Sequence, residues 1–243
     1  MKTRVVVVGF GIAGANIAYH LMKSNIDFIV VDEERKITSS KVAAGLMNPV
    51  TGKRIVKTWL ANDIFPFAED FYHQIEKELK VKIIHKRNAF RFFKDITDQN
   101  DVLAKVNEEK YHNYLNDNFD DSIFEEVTTN EFGGIEILQS GNLDVKNYLK
   151  AFQTHLQKTN RFISSQFDFS KFSPTEKTYN DIHFENIIFC EGYRGMYNPL
   201  FNWLPFAVTK GETITIEADI PDSHIINKGF FILPTQTEKQ FIV

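Results

Sequence analysis

The amino-acid sequence predicts an α/β fold that begins with a parallel sheet covered by helices. A continuous apolar run at residues 5–8 is typical of a strand buried on both faces, and a glycine motif with apolar residues at helical spacing follows it. A second apolar run, at residues 28–31, ends at Asp32. Strand, glycine turn, helix, strand and acid within about thirty residues indicate a Rossmann-type dinucleotide-binding unit.

Each glycine of the motif Gly9-x-Gly11-x-x-Gly14 has a mechanical role in such a unit. Gly9 permits the tight turn, Gly11 lets a pyrophosphate approach the backbone, and Gly14 lets the helix pack close to the strand. The helix N-terminus then offers unpaired N–H groups and the positive end of its dipole to the phosphates. Asp32 is placed to accept a hydrogen bond from a ribose 2′-OH, which disfavours NADP and leaves NAD and FAD open.

Composition and charge argue against several classes of protein. A net charge of -4 and a pI near 6.0 disfavour a general nucleic-acid binder and a protein held electrostatically on a membrane. The single cysteine, Cys190, excludes an internal disulfide framework and fits a reducing compartment. Glycines and polar residues interrupt the N-terminal apolar run, so it does not predict a signal peptide, and no other stretch is long enough to span a bilayer. We expect a soluble, cytoplasmic protein with no nucleic-acid or membrane partner.

A turn rich in serine and small residues separates FAD from NAD. Residues 38–54 read TSSKVAAGLMNPVTGKR. At this point an NAD dehydrogenase would instead continue with another helix and further parallel strands. This stretch resembles the Ser/Thr-rich turn and the "aaG(m/l)" motif of the D-amino-acid oxidase superfamily of FAD-dependent oxidoreductases, which includes glycine oxidase and sarcosine oxidase. Later segments resemble that family's elements in the same order, so that the resemblance covers nearly the whole chain: 133–156, 162–169, 186–195, 204–217 and 229–243.

The resemblance implies which residues hold FAD. Ser39 and Ser40 would contact the pyrophosphate, and residues 43–47 would border the isoalloxazine ring. The backbone at Phe167 would lie against the adenine, and Gly192 would lie near the dinucleotide. Together with the glycine motif and the acid, the predicted cofactor-binding residues are Gly9, Gly11, Gly14, Asp32, Ser39, Ser40, Ala43, Ala44, Gly45, Leu46, Met47, Phe167 and Gly192.

We expect the FAD to be bound non-covalently. Covalently flavinylated members of the family often carry a histidine in the Ser-rich turn, whereas this sequence has Lys41 and Val42 there. Cys190, at the end of a predicted central strand, is expected to be a small buried apolar residue rather than a flavin anchor.

The linear order implies two interleaved domains. A Rossmann-type FAD-binding domain would comprise residues 1–80 and 140–205, and a mainly antiparallel α+β substrate domain would comprise residues 81–139 and 206–243. In the family the chain typically continues beyond this point into a segment that supplies much of the substrate-carboxylate recognition. We therefore expect the C-terminal part to be missing, and we assign no catalytic residue.

Three cations are candidates for anchoring a substrate carboxylate, since a guanidinium can form a bidentate pair. Lys53 and Arg54 closely follow the flavin turn, and the alternative for them is a solvent-facing basic loop. Arg91 projects either into a pocket or onto the exposed face of an alternating strand. The acidic stretch 117–126 has no recognisable ligand spacing, so we expect a solvated surface and no metal site.

The implied activity is oxidation of a C–N bond in an amino acid or secondary amine, by hydride transfer to flavin N5. The electron acceptor and the oligomeric state are not predicted. An NAD-dependent Rossmann dehydrogenase is one alternative, although it leaves the Ser-rich turn unexplained. A flavin-binding protein without catalytic activity is the other.

Overall fold

The computed structural model describes residues 1–243, which form two compact units. The first unit comprises residues 1–43 and 145–212, and the second comprises residues 44–144 and 213–243. Each unit is therefore built from two separate stretches of the chain.

The first boundary between the units differs from the predicted domain boundary. The sequence placed residues 44–80 with the first domain, whereas they lie in the second unit. Packing explains the difference, because Val50, Ile55 and Ala61 are all buried in one apolar core of the second unit. Ala89 and Ile135 belong to the same core. The assignment of the two units as FAD-binding and substrate domains stays a prediction.

Five helices and eighteen strands make up the regular structure. The helices are α1 Ile12–Lys23, α2 Ser39–Val42, α3 Ala61–Leu79, α4 Ile96–Val106 and α5 Val145–Lys158. The strands are β1 Lys2–Val8, β2 Phe28–Asp32, β3 Leu46–Met47, β4 Val50–Thr51, β5 Val56–Lys57, β6 Ile84–Lys86, β7 Ala89–Phe92, β8 Leu115–Asn116, β9 Gly134–Ile137, β10 Gly141–Leu143, β11 Phe162–Ser164, β12 Phe172–Ser173, β13 Thr178–Tyr179, β14 Ile182–Phe189, β15 Thr215–Glu217, β16 Ile225–Asn227, β17 Phe231–Pro234 and β18 Gln240–Ile242. None of the helices combines the length and apolar character needed to cross a lipid bilayer.

The first unit contains a six-stranded sheet with the strand order β11-β2-β1-β14-β13-β12. The four strands β11, β2, β1 and β14 run parallel to one another, and β13 and β12 continue the sheet beyond β14 in antiparallel pairs. Val6 and Val7 of the central strand β1 are completely buried, as expected for a strand covered on both faces. The predicted parallel sheet is confirmed.

The second unit is mainly antiparallel, as predicted. Its larger sheet has the order β15-β18-β17-β16-β7-β9-β8, in which only β16 and β7 pair in parallel. A three-stranded sheet, β3-β10-β6, and the β4–β5 hairpin complete the unit.

A buried carboxylate links three segments of the larger sheet. Glu136 on β9 accepts hydrogen bonds from the side-chain amides of Asn88 at 2.8 Å and Asn116 at 2.7 Å, and its Oε1 lies 3.2 Å from His224 Nε2. Burial alone would raise the pKa of Glu136, but these hydrogen bonds outweigh it and lower the pKa. The charged carboxylate is therefore fully partnered, as a buried ion must be.

Candidate cofactor-binding site

The glycine turn between β1 and α1 is dictated by close backbone packing. Gly9 has a φ of +97°, and a Cβ there would lie 2.4 Å from the carbonyl oxygen of Cys190. A Cβ at Gly14 would lie 2.0 Å from the carbonyl oxygen of Gly9, so α1 approaches the turn more closely than any side chain allows. Two of the predicted roles, the tight turn and the close helix packing, are visible in these contacts.

The Ser-rich turn lies against the N-terminus of α1. The N-cap residue Gly11 offers no side-chain cap, and the Oγ of Ser40 accepts a hydrogen bond from the Ile12 N–H at 3.1 Å. The turn itself is a single helical turn, α2, capped by the Thr38 hydroxyl, which accepts from the Lys41 N–H at 3.2 Å. Backbone donors and a hydroxyl therefore converge where a phosphate would bind.

Asp32 connects the end of β2 to the glycine turn. Its Oδ2 accepts from the Phe10 N–H at 2.8 Å, and its Oδ1 accepts from the Glu34 N–H at 2.7 Å. Each carboxylate oxygen has a second lone pair, so the group can also accept a hydrogen bond from a ribose hydroxyl.

These elements line one cleft of about 620 Å³ in the first unit, within the usual size range of small-ligand sites. Among the predicted cofactor-binding residues, those that line it are Gly9, Gly11, Asp32, Ser39, Ser40, Phe167 and Gly192. Gly14 lies beneath the cleft rather than in its wall, since it is buried against the backbone of Gly9. The cleft offers helix-terminal N–H groups, hydroxyls and a carboxylate, which is the set of partners that an adenine dinucleotide requires.

A family model described as DAO, FAD dependent oxidoreductase, matches residues 4–241. The chain belongs to this FAD-dependent oxidoreductase family. FAD, rather than NAD, is therefore the cofactor that this cleft has to fit.

Known proteins share parts of this sequence and fold. The uncharacterized oxidoreductase YurR of Bacillus subtilis (strain 168) is 33% identical over 84 residues, which is 34% of this chain and 23% of that protein. Among solved structures, glycine oxidase from Geobacillus kaustophilus has a TM-score of 0.73 at 14% identity, covering 99% of this chain and 70% of that one. L-proline dehydrogenase from P. horikoshii has a TM-score of 0.71 at 12% identity, covering 99% of this chain and 69% of that one. At these identities the two structures establish the fold.

The residues predicted to border the flavin ring straddle the boundary between the units. Ala43 ends the first stretch of the first unit, and Ala44 begins the second unit. Gly45 has a φ of +69°, and a Cβ there would lie 1.9 Å from the carbonyl oxygen of Leu143. The packing of β3 on β10 therefore requires a glycine at position 45 whether or not a flavin lies beside it. The contact between residues 43–47 and the flavin stays a prediction.

Cys190 lines the cleft next to the glycine turn. Burial, together with the negative charge of Glu191, raises the pKa of its thiol to about 11. The thiol is protonated at neutral pH and is therefore a poor nucleophile, in keeping with the predicted absence of a cysteinyl–flavin bond.

The three candidate substrate anchors lie in the second unit, and two of them are exposed. Lys53 and Arg54 extend from the tip of the β4–β5 hairpin, whose side chains there are open to solvent. Arg91 fits neither predicted alternative fully: it is mostly buried, and its Nη2 donates to Asp98 Oδ1 at 2.8 Å and to the Lys53 carbonyl oxygen at 3.3 Å. Its charge is therefore neutralised within the unit, which weakens it as a carboxylate anchor.

An ion-pair cluster on the cleft wall was not predicted from the sequence. Glu33 pairs with Arg35 at 2.5 Å and also with Arg194, and all three line the cleft. Arg194 lies two residues after Gly192, beyond the end of β14, and Arg35 lies three residues after Asp32. The sequence did contain a signal for this cluster, because both arginines lie next to turns that were predicted to contact the dinucleotide.

Proposed function

We propose that the protein oxidises a C–N bond in an amino acid or secondary amine, using FAD. The observation that carries the proposal is the common cleft of the glycine turn, Asp32 and the Ser-rich turn, in a chain of the FAD-dependent oxidoreductase family. FAD, when bound, supplies a hydride acceptor at N5. The substrate loses a hydride from carbon and a proton from nitrogen, and water hydrolyses the resulting imine.

The chain's own residues bind and orient in this proposal. The N-terminus of α1 and the hydroxyls of Ser39 and Ser40 hold the pyrophosphate, and Asp32 holds the ribose. The backbone at Phe167 and Gly192 holds the rest of the adenosine half. Residues 43–47 border the flavin ring, and the small residues Ala43, Ala44 and Gly45 let the backbone come close to it. Positioning the reacting carbon and excluding water supply most of the rate enhancement.

The choice of an amine substrate rests on the fold neighbours. One is a glycine oxidase and the other an L-proline dehydrogenase, so their names describe a primary and a secondary amine. One name specifies an oxidase and the other a dehydrogenase, which leaves the electron acceptor open. FAD attachment is proposed to be non-covalent, and the single cysteine supports a cytoplasmic location.

The test is anaerobic bleaching of the flavin absorbance by a panel of matched substrates. Glycine is compared with glycolate, and alanine with lactate, so that each pair differs in nitrogen against oxygen. Sarcosine and proline test secondary amines. We expect bleaching by at least one amine and by neither hydroxy acid, and release of FAD into the supernatant after heat denaturation.

Three results would contradict parts of the proposal. Bleaching by hydroxy acids alone would assign C–O oxidation instead. Tightly bound FAD that no amine bleaches would support a flavin-binding protein without catalytic activity. Flavin that stays with the denatured pellet would show covalent attachment.

A further inference from the structure

Two side-chain contacts join the segment after β2 to the segment after β14 in the first unit. Glu33 accepts a hydrogen bond from the guanidinium of Arg194 and also pairs with Arg35, whose Nε lies 2.5 Å from Glu33 Oε1. The guanidinium of Arg35 interacts in turn with the hydroxyl of Tyr193. All four side chains line the cofactor cleft. We call the Glu33–Arg194 and Arg35–Tyr193 contacts the cross-links.

The cross-links bridge the end of the central strand β1. This strand lies between β2 and β14, and the three strands are parallel, so their carboxyl ends meet at one edge of the sheet. Adjacent strands are about 4.8 Å apart, so the segments that follow β2 and β14 start about 10 Å apart, on either side of the glycine turn. The long side chains of Arg35 and Arg194 cross this gap. The cross-links therefore span the turn that is predicted to hold the dinucleotide.

The cross-links begin next to a predicted FAD contact on each side of the cleft. Glu33 directly follows Asp32, which is predicted to hold the ribose. Tyr193 directly follows Gly192, which is predicted to lie near the dinucleotide. A dinucleotide that is held by both of these predicted contacts lies within the span that the cross-links bridge.

The ion pair between Glu33 and Arg194 is partly shielded from solvent. Their side chains are 26% and 29% exposed, whereas those of the ion pair between Arg4 and Glu185, which joins β1 to β14, are 59% and 51% exposed. Partial burial reduces screening by water and salt, so the pair at the cleft is the stronger of the two. The closed arrangement of the cross-links is therefore favoured over an open one.

We propose that the cross-links form a gate that has to open for FAD to enter or leave the cleft. This inference rests on the proposed binding of FAD in the same cleft. Because the cross-links close the free and the occupied cleft alike, they slow association and dissociation by a similar factor and leave the affinity nearly unchanged. Arg194 is a gate residue in this proposal, and it makes no contact with the reacting atoms.

The kinetics of FAD exchange in Arg194→Met test the gate. Association is followed by the change in flavin fluorescence after FAD is mixed with apoprotein, and dissociation by replacement of bound FAD with excess 8-chloro-FAD. We expect both rate constants to rise by about tenfold, as for the loss of one charge-assisted hydrogen bond, and Kd to change by less than about twofold. Arg4→Met breaks the exposed ion pair of the same sheet and should exchange FAD at wild-type rates.

Two further variants separate a gate from a direct contact with FAD. The charge swap Glu33→Arg/Arg194→Glu rebuilds the ion pair with its charges reversed, so exchange should slow again towards the wild-type rates. A guanidinium that contacts FAD directly would not be replaced by this swap. Tyr193→Phe removes only the hydroxyl of the second cross-link and should raise both rate constants by a smaller factor. It provides the test if Arg194→Met does not fold.

Several results would overturn the gate. Faster dissociation with unchanged association in Arg194→Met would make Arg194 an ordinary FAD contact. Faster association alone would show that the ion pair occupies the place of the cofactor. Wild-type rates in both Arg194→Met and Tyr193→Phe would show that the cross-links take no part in exchange. A wild-type chain that binds no FAD would overturn the proposed cofactor site, and the gate with it.

Discussion

The backbone N–H of Ile12 donates a hydrogen bond to the side-chain oxygen of Ser40 at 3.1 Å. Ile12 is the first residue of α1, and the N-cap Gly11 supplies no side-chain acceptor. A serine from the following turn therefore satisfies one of the donors that a helix N-terminus leaves free. This bond attaches the Ser-rich turn to the helix end that is predicted to hold a phosphate.

Replacing Ser40 with alanine should weaken FAD binding by about tenfold, because the site loses a hydroxyl at the phosphate position and the acceptor that attaches the turn to α1. Titration of the apoprotein with FAD, followed by flavin fluorescence, measures the change. Thr154→Ala is the matched control, since it removes an exposed hydroxyl from α5. Equal affinities in the two variants would exclude Ser40 from the cofactor site.

Gly14→Ala should lower the free energy of unfolding by about 3 kcal/mol and reduce FAD retention. The added Cβ would lie 2.0 Å from the carbonyl oxygen of Gly9, so α1 has to move away from the turn. Gly211→Ala is the control, because no atom lies within 4 Å of its added Cβ and its φ lies outside the left-handed region. Urea unfolding of both variants measures the difference. Wild-type stability of Gly14→Ala would contradict the close packing.

Arg91→Met should destabilise the chain by about 2 kcal/mol, since it leaves the partly buried carboxylate of Asp98 without its charged partner. Burial would raise the pKa of Asp98, but hydrogen bonds from Arg91 and from the Lys94 N–H outweigh it and lower the pKa. The double variant Arg91→Met/Asp98→Leu should recover most of the lost stability.

Steady-state kinetics of that double variant separate the structural role of Arg91 from substrate anchoring. We expect an unchanged KM for the amine once stability is restored. A KM that rises while the unfolding free energy recovers would instead show that Arg91 binds the substrate carboxylate.

Glu76→Gln should destabilise the chain in a pH-dependent way. Burial opposes ionisation of Glu76, but hydrogen bonds from the N–H groups of Ile84 and Ile83, and from His73 and Lys82, lower its pKa to about 2. Because the folded-state pKa lies below the ordinary value of 4.5, the carboxylate stabilises the fold above pH 4.5. This contribution is lost as the pH falls through about 2.

We therefore expect Glu76→Gln to lower the free energy of unfolding by about 2 kcal/mol near neutral pH and by almost nothing near pH 2. Denaturant unfolding across that pH range measures the difference. Asp70→Asn, an exposed position on the same helix, should have little effect at any pH. A loss in Glu76→Gln that does not depend on pH would contradict the lowered pKa.

Short-range patterns in the sequence determined the nucleotide-binding unit. The apolar run of β1, the glycine spacing and Asp32 lie within one strand–helix–strand unit, where hydrophobic periodicity and turn chemistry follow from neighbouring residues. For this reason the parallel sheet, the family and seven of the residues that line the cleft could be predicted before any contact was known.

Only the tertiary structure decided which distant groups meet. Arg91 pairs with Asp98 and the hairpin, and Glu33, which follows β2, pairs with Arg194, which follows β14 two strands away in the sheet. Residues 44–80 pack with the second unit because their apolar side chains fill its core. Local periodicity shows that a side chain is buried or exposed but does not specify its partner, because that depends on how separate segments of the chain pack against one another.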